Sequence, residues 1–182
     1  IYSESWSLNE GATSTTIAGV FTSDSSQLAD IFADVQKATG SRANPIKNST
    51  FFVVGDLLQV VFEELGIITC PSWYAAESYM SGATDVYAHS QGTSVAQQSF
   101  LLVPDSVRSQ INIQTFGGQS QANSSYWGVN NVVNTINAGD FVPYLSPVNW
   151  IRPGGTAPSE LLNPNSVSQH HWDRYSDSIT RF

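Results

Sequence analysis

Hydrophobic and polar positions alternate along this chain in two rhythms: short β-branched or aliphatic runs, and longer stretches with helical spacing. Residues 1–16 are polar with two aromatics and no clear period, and read as an irregular lead or a weak edge strand. TTIAGVFTS, residues 15–23, is β-branched and apolar as a buried strand requires, and it runs into TSDSS, a polar cluster suited to capping a helix. Leu28, Ile31, Phe32 and Val35 then recur at helical spacing, and Gly40 stands where a left-handed terminating residue is wanted. RANPIKNST leaves room for only a short, proline-containing strand. Val54, Leu57, Leu58, Val61, Phe62 and Leu65 form one continuous stripe that predicts a second helix stopped by Gly66, and PSWYAAESYMSG adds a third, short one.

Past residue 83 the rhythm tightens. TDVYAHS is a short apolar run entering Ser90, and QGTSVAQQSFLL is compatible with helix as far as Pro104. INIQTF stops at Gly117-Gly118, and NVVNTINAGDFVPYL stops at Pro143. Strands alternating with helices imply right-handed crossovers and a mostly parallel sheet covered on both faces, an α/β fold. From Trp150 to Gln169 the chain is rich in proline, glycine, asparagine and serine, which predicts a long loop, and loops of that length within a domain are often functional. Residues 1–182 are expected to form one domain.

Composition narrows the chemistry. A hydrophobic fraction of 41% with 12% charged residues can fill a sizeable core and does not match a disordered or fibrous chain. The formal charge is −8 and no basic patch occurs, so nucleic acid and anionic lipid headgroups are poor partners. FFVVGDLLQVVF is interrupted by Asp56 and falls short of the ~20 residues that cross a bilayer, so stable membrane insertion is not expected. The single cysteine, Cys70, cannot form an internal disulfide, and Thr69 and Pro71 beside it point to a buried or loop thiol. The three histidines offer no i, i+4 ligand pair on a helix, and Lys37 and Lys47 do not follow a glycine-rich phosphate loop. Neither a metal nor any other cofactor is expected. The beginning at Ile1, without a basic segment and apolar core before it, suits a mature form or a domain excised from a longer protein, with a secreted or effector protein the expected parent. Asn48-Ser49-Thr50 and Asn123-Ser124-Ser125 match the glycosylation acceptor pattern. The aromatics Trp73, Tyr74, Tyr79, Tyr126, Trp127 and Trp150 read as packing, the last three in regions that could border an acyl pocket.

Ala88-His89-Ser90-Gln91-Gly92 places a serine between small residues two before and two after it, where a strand gives way to a helix. A nucleophile elbow needs that arrangement, because the turn is too sharp for larger side chains. The helix that follows would aim its free amides and positive dipole end at a developing oxyanion. The alternative is one more serine in a serine-rich chain. A serine hydroxyl also needs a base to take its proton. His89 must leave the turn away from the serine hydroxyl and reads as structural, which leaves His170 and His171 in QHHWDRY. A carboxylate must then fix the tautomer of the base, and Asp140 stands just past an apolar run, where a parallel sheet displays functional groups; its alternative is a turn aspartate after glycine. Ser90, Asp140 and then His170 or His171 follow one another in the order expected of an α/β-hydrolase.

YAHSQGTSVA, INIQTFGGQ, NTINAGDFVPYLSP and HHWDRY resemble the consecutive blocks of the lipase-like branch of the α/β-hydrolase superfamily, including the class 3 lipases. The resemblance covers residues 84–182 and is most specific at Asp140-Phe141-Val142-Pro143. It implies an α/β-hydrolase-like fold and a Ser-His-Asp triad in which Ser90 is the nucleophile, Asp140 the acid and His170 the base, with His171 as loop partner. It further implies an oxyanion hole formed by the Gln91 backbone amide and one from Thr22 or Ser23, although Phe21-Thr22 stand where many relatives carry His-Gly. Cleavage of a lipid or short acyl ester, by a lipase- or esterase-like hydrolase, is the activity implied. The reading from another class is a non-catalytic hydrolase-fold binding or scaffold domain, for which the altered oxyanion strand and acidic surface speak. For the hydrolase the partner implied is a small-molecule or lipid ester substrate. Three or four strands were to be expected around the elbow, fewer than the eight of the full fold.

Overall fold

The computed structural model describes residues 8–19, 25–47, 68–120, 122–137, 140, 142 and 172–182, with the backbone alone at 25–27 and 174. The helix expected over Val54–Leu65, the Trp150–Gln169 loop, Asn48, Thr22, Ser23, His170 and His171 lie outside the described residues. Five strands, β1 (Ser14–Ile17), β2 (Ala43–Ile46), β3 (Asp85–His89), β4 (Asn112–Phe116) and β5 (Asn131–Thr135), form one sheet in the order β2-β1-β3-β4-β5. Every pairing is parallel. The helices are α1 (Ser25–Thr39), α2 (Cys70–Met80), α3 (Gly92–Phe100), α4 (Asp105–Arg108) and α5 (Ser124–Trp127), and two 3-10 turns, Trp172–Arg174 and Ser176–Ser178, follow near the C-terminus.

β1 begins inside the segment read as an irregular lead, and it lies between β2 and β3 rather than at an edge. Its polar sequence hid it. Ser14, Thr15 and Thr16 are fully buried, a position hydroxyls tolerate only when paired. The Thr15 and Ser78 hydroxyls lie 2.7 Å apart, Asn44 Nδ2 donates to Ser78 Oγ at 2.7 Å, and Ser14 Oγ donates to the Arg42 carbonyl at 3.2 Å. β2 carries Pro45 and stands at the margin of the described sheet, where a missing N–H costs no ladder bond.

Side-chain alternation along β3 divides the core. Val86 and Ala88 face α2 and α3, in a cluster with Ile17, Tyr79, Val95, Phe100, Ile113 and Trp127. Tyr87 faces the other way, joining Ala18, Ile31, Val35, Phe116, Trp172 and Tyr175 under α1 and the C-terminal turns. In α1 the expected stripe buries Ile31 and Val35, while Phe32 is only half-buried and lines a shallow cavity of about 280 Å³ with Asn9, Glu10, Gln36 and Arg42. Gly40, at φ 71°, ends this helix as expected.

Two turns of helix went unforeseen. Pro104, extended, caps α4, and Asn123 caps α5 by accepting from the Tyr126 N–H at 3.1 Å. Cys70 is not a buried or loop thiol: it is exposed, in the first turn of α2. Thr69 is the extended N-cap and Pro71 occupies the first turn, where its missing N–H would have had no partner anyway. Of the aromatics considered for an acyl pocket, Trp127 is buried in the core against Phe100, Tyr126 is exposed, and Trp150 lies outside the described residues.

The C-terminal residues are bound across the α1 side of the sheet. Gln114 Nε2 donates to the Ser178 carbonyl at 2.8 Å and Gln114 Oε1 accepts from the Thr180 N–H at 2.7 Å. Tyr87 Oη donates to the Thr180 carbonyl at 3.0 Å. The segment that follows His170 and His171 in sequence is thereby tied to β3 and β4.

Candidate active site

Ser90 is the first of the two residues that turn the chain from β3 into α3, and its φ of 58° makes it the only non-glycine in the left-handed region among the described residues. A side chain held there costs roughly 1–3 kcal/mol and persists only where the surroundings over-determine it. They do so from several sides. The Ser90 N–H donates to the Phe116 carbonyl at 3.0 Å, extending the β3–β4 ladder by one residue. The Ser90 carbonyl accepts from Thr93 Oγ1 at 2.9 Å, the Thr93 N–H at 3.2 Å and the Gln119 N–H at 3.3 Å.

Backbone packs against this corner where only glycine fits. A Cβ on Gly92 would fall 2.4 Å from the Ile17 carbonyl oxygen, so the first turn of α3 crosses β1 at backbone distance. Ala88, two residues before the serine, is fully buried on the α2–α3 face, where its methyl takes the place of the more usual hydrogen. On the other side, the pairing of Ile17 with Ala88 brings Gly19 level with Ser90. A Cβ on Gly19 would lie 2.5 Å from Ser90 Cβ and 2.9 Å from Ser90 Oγ. Sequence reasoning passed over Gly19; the signal available was a glycine two residues past the end of the strand beside the elbow strand. Ser90 itself is 3% exposed, with the Gly19 backbone against its side chain.

Gln91 is buried as the N-cap residue of α3, and its carbonyl accepts from the Ser94 N–H at 2.9 Å. The loop after β4 closes over the same turn: the Ser120 N–H donates to Thr93 Oγ1 at 3.0 Å, and the Ser94 and Ser120 hydroxyls are 3.2 Å apart.

Asp140 follows β5 and is fully buried. Its N–H donates to the Asn137 carbonyl at 3.0 Å. Oδ1 accepts from the Val142 N–H at 2.9 Å, and Oδ2 accepts from the hydroxyl of Tyr175. That hydroxyl in turn accepts from the Asn137 N–H at 3.3 Å. Burial, and after it the hydrogen bond and charge of Asp140, push the Tyr175 phenol far above its ordinary range, so it stays protonated and remains a donor. Tyr175 was in the motif that singled out the histidines, yet its partnership with Asp140 was not anticipated.

Ser90 and Asp140 thus follow the C-terminal ends of β3 and β5, at the same end of the parallel sheet, with β4 between the two strands. His89 turns to the α1 side, its ring edge-on to Trp172 at 5.7 Å and to Tyr175 at 5.9 Å. Trp172 Nε1 donates to Asp34 on α1 at 2.8 Å. No group of three or more metal-ligating side chains occurs among the described residues, and no helix among them is long and apolar enough to cross a membrane.

No family model matches this chain, and no curated protein does. Among solved structures it is similar to a Trichoderma reesei cutinase in complex with a C11Y4 phosphonate inhibitor, at 12% identity and a TM-score of 0.50, over 95% of this chain and 77% of that one. The likeness establishes the fold: a mostly parallel, helix-covered sheet of the α/β-hydrolase type.

Proposed function

We propose that this chain is a serine hydrolase that cleaves a carboxylic ester of a lipid or short acyl group. The observation that carries the proposal is the conformation of Ser90. Glycine at that position would relieve the strain, so a serine held at φ 58° between a strand end and a helix N-terminus calls for a use of its hydroxyl. The buried, doubly hydrogen-bonded carboxylate of Asp140 two strands away supports it.

In this reading Ser90 attacks the ester carbonyl while His170 takes its proton and later delivers it to the leaving alkoxide. Asp140 orients the imidazole and stabilises its charged form. The Gln91 amide at the start of α3 and an amide at Thr22 hold the oxyanion, and the backbone of Gly19, three residues before Thr22 in sequence, lies directly against the serine. Water then repeats the sequence on the acyl-enzyme. His170 is assigned as base by the resemblance of HHWDRY to the corresponding lipase-like block, with His171 its adjacent rival. Trp172 and Tyr175, which follow the two histidines in sequence, both pack beside His89, and Tyr175 donates to Asp140, which supports a base drawn from this stretch. No metal or other cofactor has a part in it.

A fluorophosphonate probe tests this. Covalent labelling at Ser90 is expected in the wild type and none in Ser90→Ala, together with hydrolysis of p-nitrophenyl esters whose chain-length preference defines the acyl group. A folded wild-type protein that is neither labelled nor active would leave the binding-domain reading in its place.

A further inference from the structure

We infer that Tyr175 is a positioning residue that, through its hydrogen bond to Asp140 Oδ2, sets the pH at which the catalytic base becomes active. This rests on the serine-hydrolase reading, in which Asp140 orients that base.

The geometry assigns the role. Tyr175 is fully buried, and its ring is held edge-on by Phe116 at 6.0 Å and His89 at 5.9 Å. Its hydroxyl accepts from the Asn137 N–H and therefore has its proton directed at Asp140. A carboxylate offers about four lone-pair sites, and among the described residues Val142 takes one and Tyr175 another. An imidazole reaching Asp140 must share the carboxylate with a phenol from the segment that carries the histidines themselves. The more charge the phenol draws from the carboxylate, the less that carboxylate stabilises an imidazolium. Among the described residues the titratable groups around the phenol, besides Asp140, are few. His89 faces it from β3, β4 contributes only Phe116, Asp34 of α1 is engaged by Trp172, and Asp173 in the neighbouring turn is exposed.

The sign follows. The base is active when deprotonated, so the rate of Ser90 phosphonylation climbs with pH through the base's midpoint. Tyr175→Phe leaves more charge on Asp140, stabilises the imidazolium and is expected to move that midpoint up by about half a pH unit. Incorporating 3-fluorotyrosine at 175, a stronger donor of the same shape, is expected to move it down. Both proteins are checked for native circular dichroism, and if Tyr175→Phe does not fold the fluorinated protein decides alone. Opposite shifts support the inference, since a role confined to packing would alter melting temperature without moving the midpoint in two directions. A wild type that reacts with the probe, but whose midpoint neither replacement displaces, overturns the role of Tyr175 and leaves the hydrolase reading intact. A wild type that does not react at any pH overturns that reading instead.

Discussion

On the α2–α3 face of the sheet, Ile17, Val86, Val95, Phe100 and Ile113 interlock with Tyr79 and Trp127 mainly by apolar contact, with the Tyr79 hydroxyl bonded only to Ser99 of the adjoining α3 among the described residues. On the α1 face, beside Ile31, Val35 and Phe116, stand three aromatics whose polar tips are each bonded to a distant part of the chain. Tyr87 reaches the Thr180 carbonyl, Trp172 reaches Asp34, and Tyr175 reaches Asp140. Non-directional burial can be satisfied by any side chains of suitable volume. Directional bonds fix which segment lies where, and the α1 face uses them to set the residues after His170 and His171 beside the strand ends that carry Ser90 and Asp140. One face therefore supplies stability, and the other supplies placement.

Ser90 stands at the junction of the two, and its replacement should give the largest effect on chemistry with the least on packing. Ser90→Ala is expected to lower kcat by about 10⁶, the loss seen when a triad nucleophile is removed. Ser90→Gly should be equally inactive yet more stable, by about 1 kcal/mol, because glycine accepts the left-handed conformation that serine resists. Ester hydrolysis and thermal melting of both variants check this, and a retained tenth of wild-type activity would remove Ser90 from the mechanism.

The opposite pattern is expected from the packing face. Phe100 is buried between Tyr79, at a ring distance of 5.5 Å, and Trp127, at 5.7 Å. Phe100→Ala should cost about 3–5 kcal/mol in denaturant unfolding. Activity per labelled active site should not change. A large fall in kcat among the molecules that remain folded would show that the two faces are not separable in this way.

A subtler probe works across the boundary. Gly19→Ala inserts a methyl into space already held by Ser90, and the neighbour it meets is the strained corner rather than the end of a flexible side chain. Loss of about a hundredfold in kcat is expected, in keeping with a displacement of the order of 1 Å at a reacting group. A modest loss of stability should accompany it. Equal activity in wild type and variant would show that the turn after β1 yields without disturbing the serine.

What could be read in the sequence, and what could not, follows the same division. The elbow was legible because its constraints are local: small residues at 88 and 92, an apolar run before them and a helix-compatible run after. The position of Asp140 after an apolar run was legible too, as were α1 by its spacing and its glycine stop and α2 and α3 by their helix-compatible residues. The start of β1 was not, because Ser14, Thr15 and Thr16 are buried by virtue of partners at Ser78, Asn44 and Arg42 that periodicity does not reveal. Gly19 against Ser90 depends on the register of β1 with β3, and Tyr175 on Asp140 joins residues 35 apart. Such pairings belong to the assembled sheet and leave no short-range trace.

The smallest effect is expected at Cys70, and it sharpens the comparison by testing a part of the packing layer that does not pack. α2 buries Ser72, Ala75, Ala76, Ser78 and Tyr79, while Cys70 in its first turn is exposed. Ser72 is already engaged, its hydroxyl donating to Gln98 Oε1 at 3.0 Å, so the join between α2 and α3 does not pass through the thiol. Cys70→Ser removes little buried apolar surface and leaves Pro71 and the extended Thr69 to start the helix. Its stability should stay within about 0.5 kcal/mol of wild type, as for surface positions without special contacts. Its kcat/KM should be the same, and a thiol-specific reagent should modify the wild type without inactivating it. Inactivation by the reagent in the wild type but not in Cys70→Ser would mean that the start of α2 is coupled to Ser90, through α3, and that the face assigned to stability also governs the site.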